Sequence, residues 1–159
     1  MSMLWTGDKI MAYITDGRIV KNFSLAEMTN RQAKDKTKLV LTPEVVEFAQ
    51  MMQELREWAA KTYPQIFSKQ GLIVSSWYRT KSFNREIGGS SNSAHLDGRA
   101  CDINNIPSEL YHDFTIAWQV ICSIHDKVGG VNYYSWGMHF TDHEDKFGHK
   151  TFQVRDNRR

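Results

Sequence analysis

Two residues with metal-binding side chains, His95 and Asp102, stand seven positions apart in the segment NREIGGSSNSAHLDGRACDI. An imidazole offers a neutral nitrogen and a carboxylate an anionic oxygen, and both are common zinc ligands. Ala100 and Asp102 fall on one face of the strand predicted over 99–103, so the small alanine leaves space beside the carboxylate. The spacing is compatible with a metal site. A hydrogen-bonded His–Asp pair that only fixes a loop is the alternative.

The other histidines offer different possibilities. His112 and His125 lie in or at the end of a predicted helix, where surface or capping roles are expected. His143 and His149 lie in or after the charged stretch TDHEDK, which is typical of a solvated loop.

Two long helices must support these residues. Apolar side chains recur at three- and four-residue spacing over 42–61 and 108–126, and each stripe predicts a helix that faces a core. Thr42 can cap the first of these helices, and Pro43 suits its first position. A short helix is predicted after the capping box at 24–27.

Strand-forming segments follow the first long helix. The sequence predicts strands at 71–77, 99–103, 131–134, 138–141 and 151–154. Residues 9–21 are predicted to form a hairpin around the turn Thr15-Asp16-Gly17. Early helices and late strands together imply an α+β fold, in which two longer helices flank a mainly antiparallel sheet.

The composition indicates one small domain spanning 1–159. The chain is 41% hydrophobic and 12% aromatic, which is enough for one packed core. Residues 1–22 are expected to be an N-terminal hairpin embellishment, and residues 143–159 a charged loop with a C-terminal tail. The formal net charge is only +2, well below the excess of Lys and Arg that is typical of a nucleic-acid binder, so no nucleic-acid partner is expected.

The sequence also indicates where in the cell the protein is expected. No apolar run has the length of a membrane span, and the start MSMLWTGDKIMAY lacks the pattern of a signal peptide. We therefore expect no membrane anchor and a chain that stays in the cytoplasm after synthesis. Cys101 and Cys122 are expected to be reduced core residues.

The segment that contains His95 and Asp102 closely resembles one shared by M15-type peptidases. These are zinc-dependent peptidoglycan peptidases that include D-alanyl-D-alanine carboxypeptidases and phage L-alanyl-D-glutamate endolysins. The resemblance begins at FSLAEM (23–28), continues through SWYRT (76–80), is densest over 88–103 and extends to about residue 142. It implies the fold of the hedgehog and D-Ala-D-Ala peptidase type.

The resemblance also implies a ligand set. In the family, a His, an Asp seven residues later and a second His from a late strand bind zinc. The matching residues are His95, Asp102 and His139, which imply one zinc ion per chain and a fourth position open to water. His143 is the substitute if His139 is not the third ligand.

The expected general base departs from the best-known family members. Those members carry an acid three residues before the final His, where this chain has Trp136. We expect Asp142 to transfer the proton, with Glu144 as the next choice. A loop-capping carboxylate is the alternative role for Asp142.

Arg79 and Ser93 match family positions, and Trp136 is a further candidate for binding substrate. Arg79 resembles the family arginine after the first core strand, where it would bind a substrate carboxylate or stabilise an oxyanion. A structural salt bridge is its alternative. The Ser93 hydroxyl is expected to orient substrate or a ligand. Trp136, like Trp77, could line a cleft for a sugar-peptide polymer, with core packing as the alternative.

The implied function is a zinc metallopeptidase that cuts an amide bond in peptidoglycan stem peptides, as an endopeptidase or a D,D-carboxypeptidase. The resemblance favours a monomeric phage endolysin that is made in the host cytoplasm and acts on the cell wall after release. The alternative is a non-catalytic M15-like module that binds peptidoglycan or forms part of a virion. Trp136 at the usual acid position motivates this alternative.

Overall fold

Two long helices and a five-stranded sheet dominate the computed structural model, which describes residues 2–6, 9–13, 18–29, 41–143 and 148–159. The helices are α1 (Leu25–Met28), α2 (Pro43–Thr62), α3 (Pro64–Phe67), α4 (Lys81–Glu86) and α5 (Tyr111–Ile124). The strands are β1 (Ser2–Thr6), β2 (Lys9–Tyr13), β3 (Arg18–Val20), β4 (Phe23–Ser24), β5 (Val74–Ser76), β6 (Ala100–Ile103), β7 (Gly130–Tyr134), β8 (Gly137–Thr141) and β9 (Gln153–Asp156). Short 3₁₀ helices span Ala94–Asp97 and Ser108–Leu110.

The long helices confirm the periodicity argument. At the start of α2 the Thr42 hydroxyl accepts a hydrogen bond from the Val45 N–H at 3.3 Å, and Pro43 occupies the first turn. The capping box before α1 is also present: Ser24 and Glu27 accept each other's backbone N–H. No helix of the described residues is long and apolar enough to cross a membrane.

The main sheet has the strand order β5-β6-β8-β7-β9. Its first four strands are antiparallel, as predicted, whereas β9 runs parallel to β7. The last strand lies at 153–156 rather than 151–154, because its pairing with β7 begins at Gly130 opposite Gln153. Part of the expected C-terminal tail thus completes the sheet.

Alternation along the strands gives the sheet two chemically different faces. On one face Cys101, Val131 and Phe140 are buried in the core. The opposite face carries a polar row, one residue from each strand, defined as Ser76, Asp102, His139, Asn132 and Arg155. The register therefore aligns groups that are far apart in the sequence.

Aromatic side chains fill the core beneath this sheet. The Trp77 ring meets Phe23 and Phe48 edge to face, with centroids 5.6 and 5.5 Å apart, and Phe48 meets Trp118 at 5.9 Å. The Trp77 indole N–H donates to the Gly98 carbonyl at 2.8 Å, so burial leaves no unsatisfied donor. Of its two predicted roles, Trp77 has the packing role.

The N-terminal strands pair differently from the prediction. Strand β2 pairs with β1, and β3 pairs with β4, so the predicted pairing of 9–13 with 18–20 is wrong. Asn22 lies in the two-residue connection between β3 and β4, and its backbone N–H and side-chain oxygen both bond the Gln53 amide of α2, at 2.9 and 2.8 Å. A two-residue connection closes at small entropic cost, which favours this pairing. The predicted turn at 15–17 lies outside the described residues.

Both cysteines are free and buried, as predicted. Burial raises the pKa of the Cys101 thiol far above its usual range and that of Cys122 to about 12. Both thiols therefore stay protonated at neutral pH and act as small apolar core groups.

Candidate active site

His95 is held by a short 3₁₀ turn. The turn is capped by Ser93, whose hydroxyl accepts the His95 backbone N–H at 3.3 Å, and it ends at Gly98 in the left-handed conformation, φ 72°. Glycine adopts that conformation without the steric cost of a Cβ. Ser93 therefore positions His95 through the backbone, and it also lines the cleft described below.

The His95 ring is oriented by a core residue. Its Nδ1 lies 2.5 Å from the Trp77 carbonyl oxygen, which can only accept, so Nδ1 carries the proton. The other nitrogen, Nε2, then presents its lone pair toward Asp102, with Oδ1 at 3.3 Å. Burial lowers the pKa of His95 and outweighs the attraction of Asp102, so the neutral ring is favoured. This is the form that binds a metal.

Asp102 and His139 face each other across β6 and β8. They are register partners, and Asp102 Oδ1 lies 2.8 Å from His139 Nδ1. Burial alone would raise the pKa of Asp102, but its contacts with His139 and His95 hold that pKa well below its usual range. Asp102 is therefore an anion at the centre of the site although it is only 5% exposed.

One ligand atom each from His95, Asp102 and His139 lie within 4.8 Å of one another. Two imidazole nitrogens and one carboxylate oxygen form a donor set that suits a divalent transition metal. His143 is not part of this cluster, since its Nε2 lies 3.5 Å from Asp97 instead. Of the two third ligands considered, the structure brings His139 to the other two residues.

Arg79 supports the cluster from the β5 side. Its guanidinium donates to the Ser76 hydroxyl at 3.0 Å, the Asp102 carboxylate at 3.4 Å and the Asn84 side-chain oxygen at 3.5 Å. The predicted salt bridge is therefore present, and it is made with a candidate ligand. Arg79 also lines the cleft, so the two roles considered for it are compatible.

A cleft of about 640 Å³ opens over the cluster. Trp136 lies at its wall, 45% exposed, and stacks on Tyr134 with ring centroids 4.8 Å apart and planes 14° apart. An exposed aromatic pair of this kind offers a flat apolar surface beside the polar cluster. Of the two positions considered for Trp136, the cleft wall is the one that the structure shows.

Asp142 is placed differently from the expectation. Its side chain is fully buried, and one carboxylate oxygen accepts from Arg99 Nε at 2.9 Å. It does not line the described cleft, because the alternation of β8 turns His139 and Thr141 to the cleft and Phe140 to the core. Glu144, the next choice, lies outside the described residues.

Sequence reasoning missed several residues that line the cleft, among them Asn132 and Arg155. Asn132 is opposite His139 in the sheet, and Arg155 is opposite Asn132. The alternation of β7 between Val131 and Tyr133 could have suggested that Asn132 faces away from the core. No local pattern indicates Arg155, because its position depends on the pairing of a late, distant strand.

Comparison with known proteins agrees with this geometry. A family model described as Peptidase M15 matches residues 21–135. This range includes His95 and Asp102 and ends four residues before His139. No curated protein matches the chain. Because the family model covers more than half of its residues, the chain belongs to the M15 peptidase family.

Proposed function

We propose that this chain is a zinc-dependent peptidase that hydrolyses an amide bond in the stem peptides of bacterial peptidoglycan. The observation that carries the proposal is the convergence of His95, Asp102 and His139 at the floor of an open cleft. On the resemblance of 84–103 to phage endolysins, we extend the proposal to a monomeric lysis enzyme. It would be made in the host cytoplasm and act on the wall after release.

The cluster residues would hold the ion, because one donor atom of each lies close to the others. His95 offers a neutral Nε2, Asp102 supplies the anionic oxygen, and His139 turns Nδ1 to the same point. A zinc ion bound by such a set lowers the pKa of a coordinated water and polarises a carbonyl.

Arg79 would stabilise the negative charge that develops on the scissile carbonyl. A guanidinium has five N–H groups, one on Nε and two on each terminal nitrogen. Each nitrogen makes one contact here, so one N–H group on each terminal nitrogen is left to donate to substrate. Its contact with Asp102 fixes it beside the cluster. Donors already oriented toward a developing oxyanion need no reorganisation during the reaction.

Amide hydrolysis also needs a group that accepts a proton from water and returns it to the leaving amine. His143 lines the cleft, and burial lowers its pKa, which favours the neutral imidazole near pH 7. Asp142 would have to leave Arg99 to act in this way. We therefore propose His143 as the proton acceptor and a structural role for the Asp142–Arg99 pair.

Two substitutions distinguish these roles. We expect His143→Gln to lower kcat about 100-fold or more with zinc content unchanged, because general acid–base catalysis contributes about 10²–10⁴-fold. Asp142→Asn should instead lower thermal stability. The acid limb of the wild-type kcat profile should lie below the ordinary histidine pKa of about 6.5, since a lowered pKa keeps the active neutral form at lower pH. Full activity of His143→Gln together with inactive, stably folded Asp142→Asn would reverse the assignment.

The function itself is tested by digesting purified peptidoglycan with the zinc-loaded chain. Mass spectrometry of the fragments should show new amine and carboxyl ends at one bond of the stem peptide. The zinc-free chain should release none, and restoring zinc should restore cleavage. Binding to peptidoglycan without new ends would instead identify the non-catalytic module considered from the sequence.

A further inference from the structure

The stacked pair of Tyr134 and Trp136 separates the cleft from a second concavity, which we call the outer pocket. Tyr134, Trp136 and Asn157 line both the cleft and the outer pocket, whose volume is about 710 Å³. The rest of the described lining of the outer pocket is polar and consists of Ser135, Asp156, Arg158 and Arg159. A ligand that occupies the cleft can therefore continue past Trp136 into a second, polar space.

The turn that carries the pair is held in place by two hydrogen bonds. The Tyr111 hydroxyl donates to the Tyr134 carbonyl at 2.8 Å, and the Asn157 backbone N–H donates to the Tyr133 carbonyl at 2.8 Å. One bond comes from α5 and the other from the segment after β9, so the turn is fixed from two different elements. A surface that is already fixed loses little conformational freedom when a ligand binds to it.

The exposed part of the pair has the chemistry that a sugar ring requires. Trp136 is 45% exposed although its ring stacks on Tyr134, so part of the indole faces solvent. The faces of a pyranose ring carry C–H groups, which the negative face of an aromatic ring attracts. The hydroxyl and acetamido groups at the rim of an amino sugar need hydrogen-bond partners, and Ser135 and Asn157 offer donors and acceptors beside the pair.

The distance to the candidate metal cluster fits a peptide that is attached to such a sugar. Trp136 precedes His139 by three residues, and His139 lies in the extended strand β8. At about 3.4 Å per residue, the two backbone positions are about 10 Å apart. Three extended peptide residues span about the same distance. A sugar on Trp136 would thus bring an amide within about three residues of it to the cluster.

We propose that Tyr134 and Trp136 form a subsite for a pyranose ring of the glycan strand, so that the enzyme prefers stem peptides that are still attached to their sugar. The ring would stack on the exposed part of Trp136, and the attached peptide would run through the cleft toward His139. This inference rests on the proposed function, because it names the part of peptidoglycan that the same cleft recognises.

The test uses two synthetic substrates with the same stem peptide. In one the peptide is joined to the lactyl group of N-acetylmuramic acid, and in the other it carries a lactoyl group alone, so only the sugar differs. We expect the zinc-loaded wild type to prefer the sugar-linked peptide in kcat/KM by about 10-fold, which corresponds to about 1.4 kcal/mol. Trp136→Ala should slow the sugar-linked peptide more than the lactoyl peptide until the preference disappears, and Trp136→Phe should retain part of it.

The matched control is Ile124→Ala, which truncates an exposed apolar side chain of α5 that is not among the described residues lining either pocket. It should keep the wild-type preference. Binding of both substrates to the full chain stripped of zinc gives a second readout without turnover. The sugar-linked peptide should bind more tightly, and Trp136→Ala should equalise the two affinities.

Equal losses on both substrates in Trp136→Ala, or a wild type that does not discriminate in either assay, would overturn the inference. A wild type that binds the sugar-linked peptide selectively but cuts neither substrate would refute the proposed hydrolysis and leave the sugar subsite supported. Cleavage of both substrates at the same rate would leave the hydrolysis supported and refute the subsite.

Discussion

Asp102→Asn should abolish metal retention and activity while leaving the fold intact. The carboxylate contacts His95 at 3.3 Å, His139 at 2.8 Å and Arg79 at 3.4 Å, so all three groups share this one anion. Asparagine keeps the shape but removes the charge and turns one acceptor into a donor. Because loss of groups that merely orient ligands already costs about 10–100-fold, we expect metal affinity to fall more than 100-fold and kcat/KM at least as much.

The measurements are zinc content after dialysis, circular dichroism and peptidoglycan hydrolysis. The matched control is Asp97→Asn, an exposed carboxylate at the end of the 3₁₀ turn that carries His95. It should keep zinc close to wild type, and only its zinc content serves as the control because Asp97 Oδ2 lies 3.5 Å from Nε2 of His143, the proposed proton acceptor. Equal zinc content in both variants would mean that Asp102 is not a ligand, and the proposed peptidase mechanism would then fail.

Trp77→Ala should lower the free energy of unfolding by about 4 kcal/mol, as truncation of a large buried aromatic commonly does. The ring is fully buried, packs edge to face against Phe23 and Phe48, and donates to Gly98. Trp77→Phe, which keeps much of the volume but leaves the Gly98 carbonyl without its donor, should cost about half as much. Urea denaturation measures both.

Trp136→Ala provides the contrast. Trp136 is 45% exposed at the cleft wall, so its removal should change stability by less than about 0.5 kcal/mol. Its expected effect is on KM, through the lost flat surface beside Tyr134. A loss of stability equal to that of Trp77→Ala would contradict the division between a core tryptophan and a cleft tryptophan.

Local sequence patterns were enough to predict much of the fold and part of the candidate site. The helical stripe of α2 and the capping box at Ser24 are short-range signals, and both predicted elements are present. His95 and Asp102 were identified from one contiguous segment. Their spacing alone did not favour a metal site over a structural hydrogen bond, and the resemblance of the longer segment led to the metal site.

The features that the sequence did not predict depend on contacts between residues that are far apart in the chain. Strand β2 could pair with the strand before it or the strand after it, and hydrophobic alternation does not encode that choice. Asp142 looked accessible in a charged stretch, but Arg99 neutralises it from a segment 43 residues away. Arg155 belongs to the expected C-terminal tail, and only the parallel pairing of β9 with β7 places it in the cleft.

The polar row has a consequence for folding as well as for chemistry. Its members, from Ser76 to Arg155, belong to five different strands, so no proteolytic fragment that lacks an outer strand can hold the complete constellation. The proposed metal ligands come from β6, β8 and the 3₁₀ turn before β6, so an ion that they hold binds the folded chain rather than the unfolded one. Such an ion stabilises the fold by mass action, by an amount that rises with the logarithm of free metal concentration. Metal supply would then set how long the protein survives heat and proteases, as well as whether it can cut a peptide.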